Sequence, residues 1–243
     1  MIKSTLILTV ASIILLQGCS SVCQKEPISS IKTVFDPNKP VHIIVNTIPF
    51  EPTKKTLDSI QSFFTDSLGL ETKVSKVELG IPPKSDITKE ELLNASTDVL
   101  KQAKSPTVVI VTVKHVKDFG GYGWLAVAET SYENGEKYPV AVVTLIRKDF
   151  LVKNFESLLL KHEIGHWVGV PARNCHTYKD NSHCLSLRCL MTSGPGSNPL
   201  RWMSAVGLSI LFLGPPDFCD NCKQELVEMK KLHQKIPNTV KIE

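Results

Sequence analysis

The chain has 243 residues, of which 42% are hydrophobic, and 28 basic against 24 acidic side chains give a formal net charge of +4. This length is enough for one domain with a sizeable core. The positive charges are spread along the sequence, so its composition gives no reason to expect a nucleic-acid partner. We expect a monomer that binds no nucleic acid.

The first residues have the pattern of a lipoprotein signal peptide. Lys3 precedes a mostly apolar run over 6–16, and the word LQGC ends at Cys19. The run is shorter than the about 20 apolar residues that a membrane-spanning helix needs. We therefore predict a signal peptide over 1–18, cleavage before Cys19 and a lipid on that thiol as the membrane anchor. An ordinary cleaved secretory signal is the alternative.

The polar segment that follows is predicted to be a tether over 19–40, with the folded domain over 41–243. LQGC is typical of bacterial lipoproteins. Ser20 occupies the position where retention in the inner membrane usually requires aspartate. We therefore expect the bacterial cell envelope as the location, with the anchor in the outer membrane and the protein facing the periplasm.

Strand-like and helix-like patterns alternate along the domain. The predicted elements are a strand at 41–47, a helix at 53–68, a strand at 72–79, a helix from Thr88 to about Gln102, a buried strand at 106–113, strands at 125–130 and 139–146, and a solvated helix face at 230–235. Thr88 and Glu91 form a capping-box pattern at the start of the second helix. The order predicts an α/β (α+β) fold with a mixed sheet.

Residues 162–169 read HEIGHWVG, which is the most specific motif of the chain. In a helix, His162 and His166 leave the same face within reach of one metal ion. Glu163 is placed to hold a water molecule and take its proton. The motif predicts a zinc hydrolase; a hydrogen-bonded histidine pair without a metal is the alternative.

The surrounding residues predict the helix that carries this motif. Asn154 is a suitable N-cap, and Gly169 followed by Pro171 would end the helix. Its predicted packing residues are Phe155, Leu158, Leu159 and Trp167.

A second group of metal-binding residue types follows in a loop-rich C-terminal part. HCLSLRCLM at 183–191 contains His183, a pair formed by Cys184 and Cys189, and Met191, and further on Cys219 and Cys222 form a CxxC. This order of motifs resembles the archaemetzincin family of zinc metallopeptidases. The resemblance extends from about Val41 to Leu226, with specific matches from His162 onward.

The resemblance implies a metzincin-like fold with two zinc ions. His162, His166 and His183 would bind the catalytic zinc, Glu163 would be the general base, and Met191 would lie in a turn beneath the metal. The second zinc would be bound by Cys184, Cys189, Cys219 and Cys222.

The resemblance also implies a substrate pocket lined by Tyr122 and Trp124. These residues lie near the strand that forms the upper edge of a metzincin cleft. A flexible turn over 119–125 is the alternative.

The sequence departs from the family pattern after the helix. Three residues beyond Gly169, where the family has its third histidine, this chain has Ala172, and an insertion separates it from His183. The insertion contains His176, which is the alternative third ligand. Adjacency to Cys184 favours His183.

The cysteines also leave two interpretations open. In an oxidising compartment, disulfides compete with zinc for the four C-terminal thiols. Cys23 and Cys175 are left over as a pair that could form a bridge.

Together these patterns predict a zinc-dependent peptidase with a peptide or protein substrate. The alternatives are a non-catalytic zinc-containing envelope lipoprotein that binds peptide or envelope polymer, and a disulfide-stabilised structural lipoprotein without a metal.

Overall fold

The computed structural model describes residues 39–81, 87–102, 104–113, 116–117, 123–131, 137–146, 155–177, 183–186, 189–192 and 217–235. The predicted signal peptide, Cys19 and nearly all of the predicted tether lie outside these residues. Within the described residues, no helix is long and apolar enough to cross a membrane.

The described residues fall into two compact units. The first, here called the sheet unit, comprises the described residues of 39–170 and 226–235. The second, the cysteine unit, comprises those of 171–225.

The sheet unit alternates strands and helices, as the sequence predicts. Its elements are β1 (Val41–Asn46), α1 (Lys54–Ser62), a π-helical turn (Phe63–Leu68), β2 (Thr72–Val77), α2 (Lys89–Gln102), β3 (Thr107–Val113), β4 (Gly123–Ser131), β5 (Lys137–Ile146) and α3 (Phe155–Trp167). The strands form one sheet in the order β2-β1-β3-β5-β4. The first four in this order run parallel, and β4 pairs antiparallel with β5 at the edge. The predicted α/β fold with a mixed sheet is confirmed.

The cysteine unit contains a short 3₁₀ turn (Asn174–His176) and the beginning of helix α4 (Asp220–Lys235). The helix continues into the sheet unit from Leu226 onward. A solvated helix face is predicted for residues 230–235, and α4 includes them. This helix begins directly after Cys219, so Cys222 lies in its first turn.

Burial in the sheet unit explains why β3 forms. Every residue of β3 is buried, as expected for a parallel strand covered on both faces. Ile44 and Val109 pack in one hydrophobic cluster with Ile87 and Leu92, at the start of α2.

The predicted capping box begins helix α2. Thr88 N–H donates to the Glu91 carboxylate, and Glu91 N–H donates to the Thr88 hydroxyl.

Helix α3, which carries the HExxH motif, buries Trp167 as predicted, but not the two leucines expected to pack with it. Leu158 and Leu159 are only partly buried, whereas Leu160, Ile164 and Trp167 are buried. These three residues lie along one side because a helix turns about 100° per residue. By the same rotation His162 and His166 lie on the opposite side, so packing of the helix leaves both histidines available. Asn154 lies outside the described residues.

Side-chain hydrogen bonds join the start of α3 to the start of α1. The Glu156 carboxylate accepts the Thr56 hydroxyl at 2.8 Å and the Thr53 main-chain N–H at 3.3 Å. The Phe64 and Trp167 rings meet edge to face, with their centres 6.2 Å apart. The HExxH helix is thus held at both of its ends.

Gly169 lies just beyond the last residue of α3, where it was predicted to end the helix. Its φ angle is +89°, in the left-handed region. A side chain at this position would meet nothing within 4 Å, so substitution there costs backbone strain alone.

We expect Gly169→Ala to lower the free energy of unfolding by about 1–2 kcal/mol. The matched control is Gly169→Asn, because asparagine tolerates positive φ better; its loss should be clearly smaller. Urea unfolding of both variants measures the difference, and equal losses would contradict this explanation.

Candidate metal centres

Two histidines of α3 bring their ring nitrogens together. The Nε2 atoms of His162 and His166 are 3.1 Å apart, and the rings meet edge to face with their centres 4.7 Å apart. Two nitrogens bound to one zinc at roughly 2.0–2.1 Å and at the tetrahedral angle would be about 3.3 Å apart. Both side chains are partly exposed. The pair therefore has the spacing of two ligands of one metal ion.

Glu163 follows His162 on the same helix and is partly buried. Burial raises the pKa of Glu163 to about 7. A divalent cation next to this carboxyl group would favour its ionised form and oppose that shift. Without a metal Glu163 would therefore take up a proton near neutral pH, and a bound cation would keep it ionised, which is the form that a general base requires.

Four thiols meet in the cysteine unit. The sulfurs of Cys184 and Cys219 are 3.6 Å apart, and those of Cys189 and Cys222 are 3.5 Å apart. The sulfurs of Cys184, Cys219 and Cys222 all lie within 4.8 Å of one another. Four sulfurs at roughly 2.3 Å from a tetrahedral zinc would be about 3.8 Å apart, whereas a disulfide joins sulfurs at about 2.05 Å. All four are free thiols, and their arrangement fits a Cys₄ zinc site.

The backbone around these thiols favours their ionised form. Ser186 N–H donates to the Cys184 sulfur at 3.4 Å, and Cys219 N–H donates to the Cys189 sulfur at 3.3 Å. Cys219 and Cys222 lie at the start of α4, where the helix macrodipole favours negative charge. Because cysteine binds metals as the thiolate, these contacts support a metal site.

Hydrogen bonds within the cluster shift the pKa values of Cys184, Cys219 and Cys222 in different directions. Hydrogen bonds from Cys184, and then from Cys189 and Cys222, lower the pKa of Cys219. Hydrogen bonding to Cys189 raises the pKa of Cys184, and hydrogen bonding to Cys184 raises the pKa of Cys222. Because metals bind cysteine as the thiolate, a bound cation would remove the protons of these thiols.

A buried histidine and a buried carboxylate lie beside the four thiols. His176 Nδ1 is 3.5 Å from the Cys184 sulfur, and its Nε2 is 2.7 Å from Glu225 Oε1. Glu225 also accepts the main-chain N–H groups of Ala172 at 2.9 Å and Arg173 at 3.0 Å. The exposed fractions of the His176 and Glu225 side chains are 2% and 0%.

This placement of His176 was not predictable from the sequence, which leaves it as an alternative third ligand of the catalytic zinc. Its ligand nitrogen and the sulfurs of Cys184, Cys219 and Cys222 all lie within 4.8 Å of one another. Glu225 is not a predicted site residue. Its position three residues after Cys222 on α4 is the one sequence signal that points to it.

His183 and Met191 both lie in the cysteine unit. His183 directly precedes Cys184 and is partly exposed. Met191 is fully buried in a turn, and its carbonyl group accepts the Cys184 N–H at 2.7 Å. The structure thus brings together His162 and His166 in the sheet unit, and the four predicted cysteines in the cysteine unit.

Several of the remaining predicted residues lie outside the part of the chain that the structure describes. Cys175 is disulfide-bonded, whereas Cys23, its predicted partner, lies outside the described residues. Tyr122 and the side chain of Trp124 also lie outside them. The strand β4, which contains position 124, is one of the two edge strands of the sheet.

Two solved structures are similar to this protein. One is the crystal structure of archaemetzincin from Methanopyrus kandleri, with 20% sequence identity over 79% of this chain and 96% of that chain and a TM-score of 0.45. The other is metalloproteinase-II from Bacteroides fragilis, with 13% identity over 85% of this chain and 60% of that chain and a TM-score of 0.45. No protein-family model and no curated protein matches the sequence. An archaemetzincin, the kind of protein that the motifs resemble, is thus among the solved structures similar to this chain.

Proposed function

We propose that this protein is a zinc-dependent peptidase in which Glu163 is the general base. The observation that carries the proposal is the 3.1 Å approach of the His162 and His166 Nε2 atoms on α3, with Glu163 next to them in the chain. A histidine pair that only packs in a core has no need of an adjacent, partly buried carboxyl group. The substrate class is a peptide or protein.

Each residue of the motif has a distinct part in the reaction. When bound, zinc would lower the pKa of a coordinated water to about 7 and polarise the scissile carbonyl group. His162 and His166 would bind the ion as neutral imidazoles, from the side of α3 opposite its buried side. Glu163 accepts the proton of the attacking water and afterwards gives it to the leaving amine.

The third protein ligand in this proposal is His183. The support for His183 comes from the position of His176, the alternative third ligand. One ring nitrogen of His176 contacts the Cys184 sulfur and the other contacts the Glu225 carboxylate. A histidine held in that way would have to break a 2.7 Å contact with a buried carboxylate to bind elsewhere.

A second zinc, bound by Cys184, Cys189, Cys219 and Cys222, completes the proposal. Its support is the sulfur spacing of 3.5–3.6 Å and the N–H groups directed at two of the sulfurs. Such a site is closed to water by its four protein ligands, so its contribution is to folding rather than to hydrolysis.

The proposal includes a location in the bacterial envelope through a lipid on Cys19, for which the sequence pattern is the support. Labelling of the protein with a fatty-acid analogue, and loss of that label in Cys19→Ser, is the direct measurement of the anchor.

The thiol state of the cysteines provides a test of the second zinc site. After zinc removal and denaturation without reductant, we expect an alkylating reagent to label all four of its cysteines, because zinc binds thiolates and leaves no disulfide. Mass spectrometry of the peptides measures this. Cys175 is the internal control, since its disulfide must stay unlabelled until a reductant is added. Two disulfides among the four, with one zinc per chain, would reject the second site.

A further inference from the structure

The buried pair formed by His176 and Glu225 has no part in the proposed catalysis, yet it directly contacts the cysteine cluster. We propose that His176 is a positioning residue of the second zinc site, donating its Nδ1–H to the Cys184 thiolate while Glu225 holds the ring through Nε2. This inference rests on the proposed zinc at the four cysteines. It assigns a role to two residues that provide no ligand in that proposal.

The direction of both hydrogen bonds follows from the acceptors on either side of the ring. The Glu225 carboxylate accepts two main-chain N–H groups in addition to the ring, so it acts as an acceptor at 2.7 Å from Nε2. A zinc-bound thiolate carries no proton, so Cys184 is also an acceptor, at 3.5 Å from Nδ1. His176 therefore lies between two acceptors, with one facing each ring nitrogen.

The pair also connects the two halves of the ligand set. Cys184 and Cys189 come from the loop segment, whereas Cys219 and Cys222 begin α4, the helix that also carries Glu225. Through His176, the loop sulfur is joined to a side chain of that helix. Partners of this kind orient metal ligands, and their removal typically costs about 10–100-fold in metal affinity.

Asparagine and glutamine at position 176 separate the two hydrogen bonds. The amide nitrogen of Asn lies close to the place of histidine Nδ1, so His176→Asn retains a donor for Cys184 and loses the one for Glu225. The amide nitrogen of Gln reaches the place of Nε2, so His176→Gln retains the bond to Glu225 and loses the one to Cys184. Both variants keep a buried polar side chain of similar size, which makes them matched controls for packing.

The experiment uses the full chain with His162→Ala and His166→Ala, so that added Co²⁺ loads the cysteine cluster alone. We expect His176→Gln to bind Co²⁺ and Zn²⁺ about 10–100-fold more weakly and His176→Asn to stay within about threefold of the background. A hydrogen bond lowers the energy of the sulfur lone pairs. The sulfur-to-cobalt charge-transfer band should therefore move to lower energy in the Gln variant and stay in place in the Asn variant.

A measurement on the unsubstituted chain does not depend on how a variant folds. With ¹¹³Cd²⁺ in the cluster, NMR should show a scalar coupling between cadmium and the Nδ1 proton of His176, transmitted through the hydrogen bond to the Cys184 sulfur. Equal affinities and equal charge-transfer energies for the Asn and Gln variants, or a detectable Nδ1 proton without this coupling, would overturn the role of His176. Failure of the background chain to take up any Co²⁺ would instead reject the Cys₄ site of the proposed function, and the inference with it.

Discussion

Replacement of Glu163 by glutamine is expected to abolish peptidase activity and to leave the metal in place. Glutamine has nearly the same shape but cannot accept the proton of water, so kcat/KM should fall by about 10²-fold or more. Because Glu163 is not one of the proposed ligands, zinc content should stay at the wild-type value. The measurements are cleavage of a peptide library and elemental analysis of the same samples.

The control for this prediction is Glu156→Gln, which changes a carboxylate on the same helix that is bonded to α1 and is two turns away from Glu163. It should retain catalytic activity after correction for any loss of folded protein. Equal activity of wild type and Glu163→Gln would reject the peptidase proposal. In that case a protein that binds peptide or envelope polymer without cleaving it becomes the better explanation.

The second large effect is expected at His183. If it is the third ligand, His183→Ala should raise the zinc concentration required for half-maximal activity by more than 100-fold, since loss of a direct ligand exceeds the 10–100-fold typical of outer contacts. His176→Ala should leave this midpoint nearly unchanged, because His176 contacts the other cluster. Activity measured in a series of zinc buffers gives both midpoints.

Zinc content after dialysis against a mild chelator provides the complementary readout. His183→Ala should lose the zinc that supports activity and retain the zinc held by cysteines, whereas the loss in His176→Ala should fall on the cysteine site. The opposite pattern, with the activity midpoint displaced only in His176→Ala, would make His176 the third ligand. The proposed role of His176 at the cysteine cluster would then be wrong as well.

Periodicity and local capping made the sheet unit largely predictable. The buried run at β3 and the capping box at Thr88 are local signals, and both are present in the structure. The buried side of α3 was harder to predict from the sequence. Leu158, Leu159 and Leu160 are consecutive, and the sequence does not show which of them packs against the rest of the sheet unit. In the structure Leu160 is the buried one, on a helix that contacts α1, β4 and β5.

The two candidate centres differ in how much the sequence reveals. HExxH is a local pattern, so the helix alone places its two histidines together. The pairing of Cys184 with Cys219 joins positions 35 residues apart, and spacing could not distinguish zinc ligands from disulfides. The contact between His176 and Glu225, 49 residues apart, has no sequence pattern and depends on how the cysteine unit folds.

The separation of the cysteines along the chain has a consequence for chain entropy. Cys189 and Cys219 are 30 residues apart, so a metal held by both closes a loop of that size. The entropic cost of closure rises only with the logarithm of loop length, and a doubling adds about 0.6 kcal/mol. A metal cross-link at the base of such a loop therefore lets the intervening sequence change in length at little cost in stability. The segment between Met191 and Asp217 is thus a place where related chains can gain or lose residues while the ligands still converge.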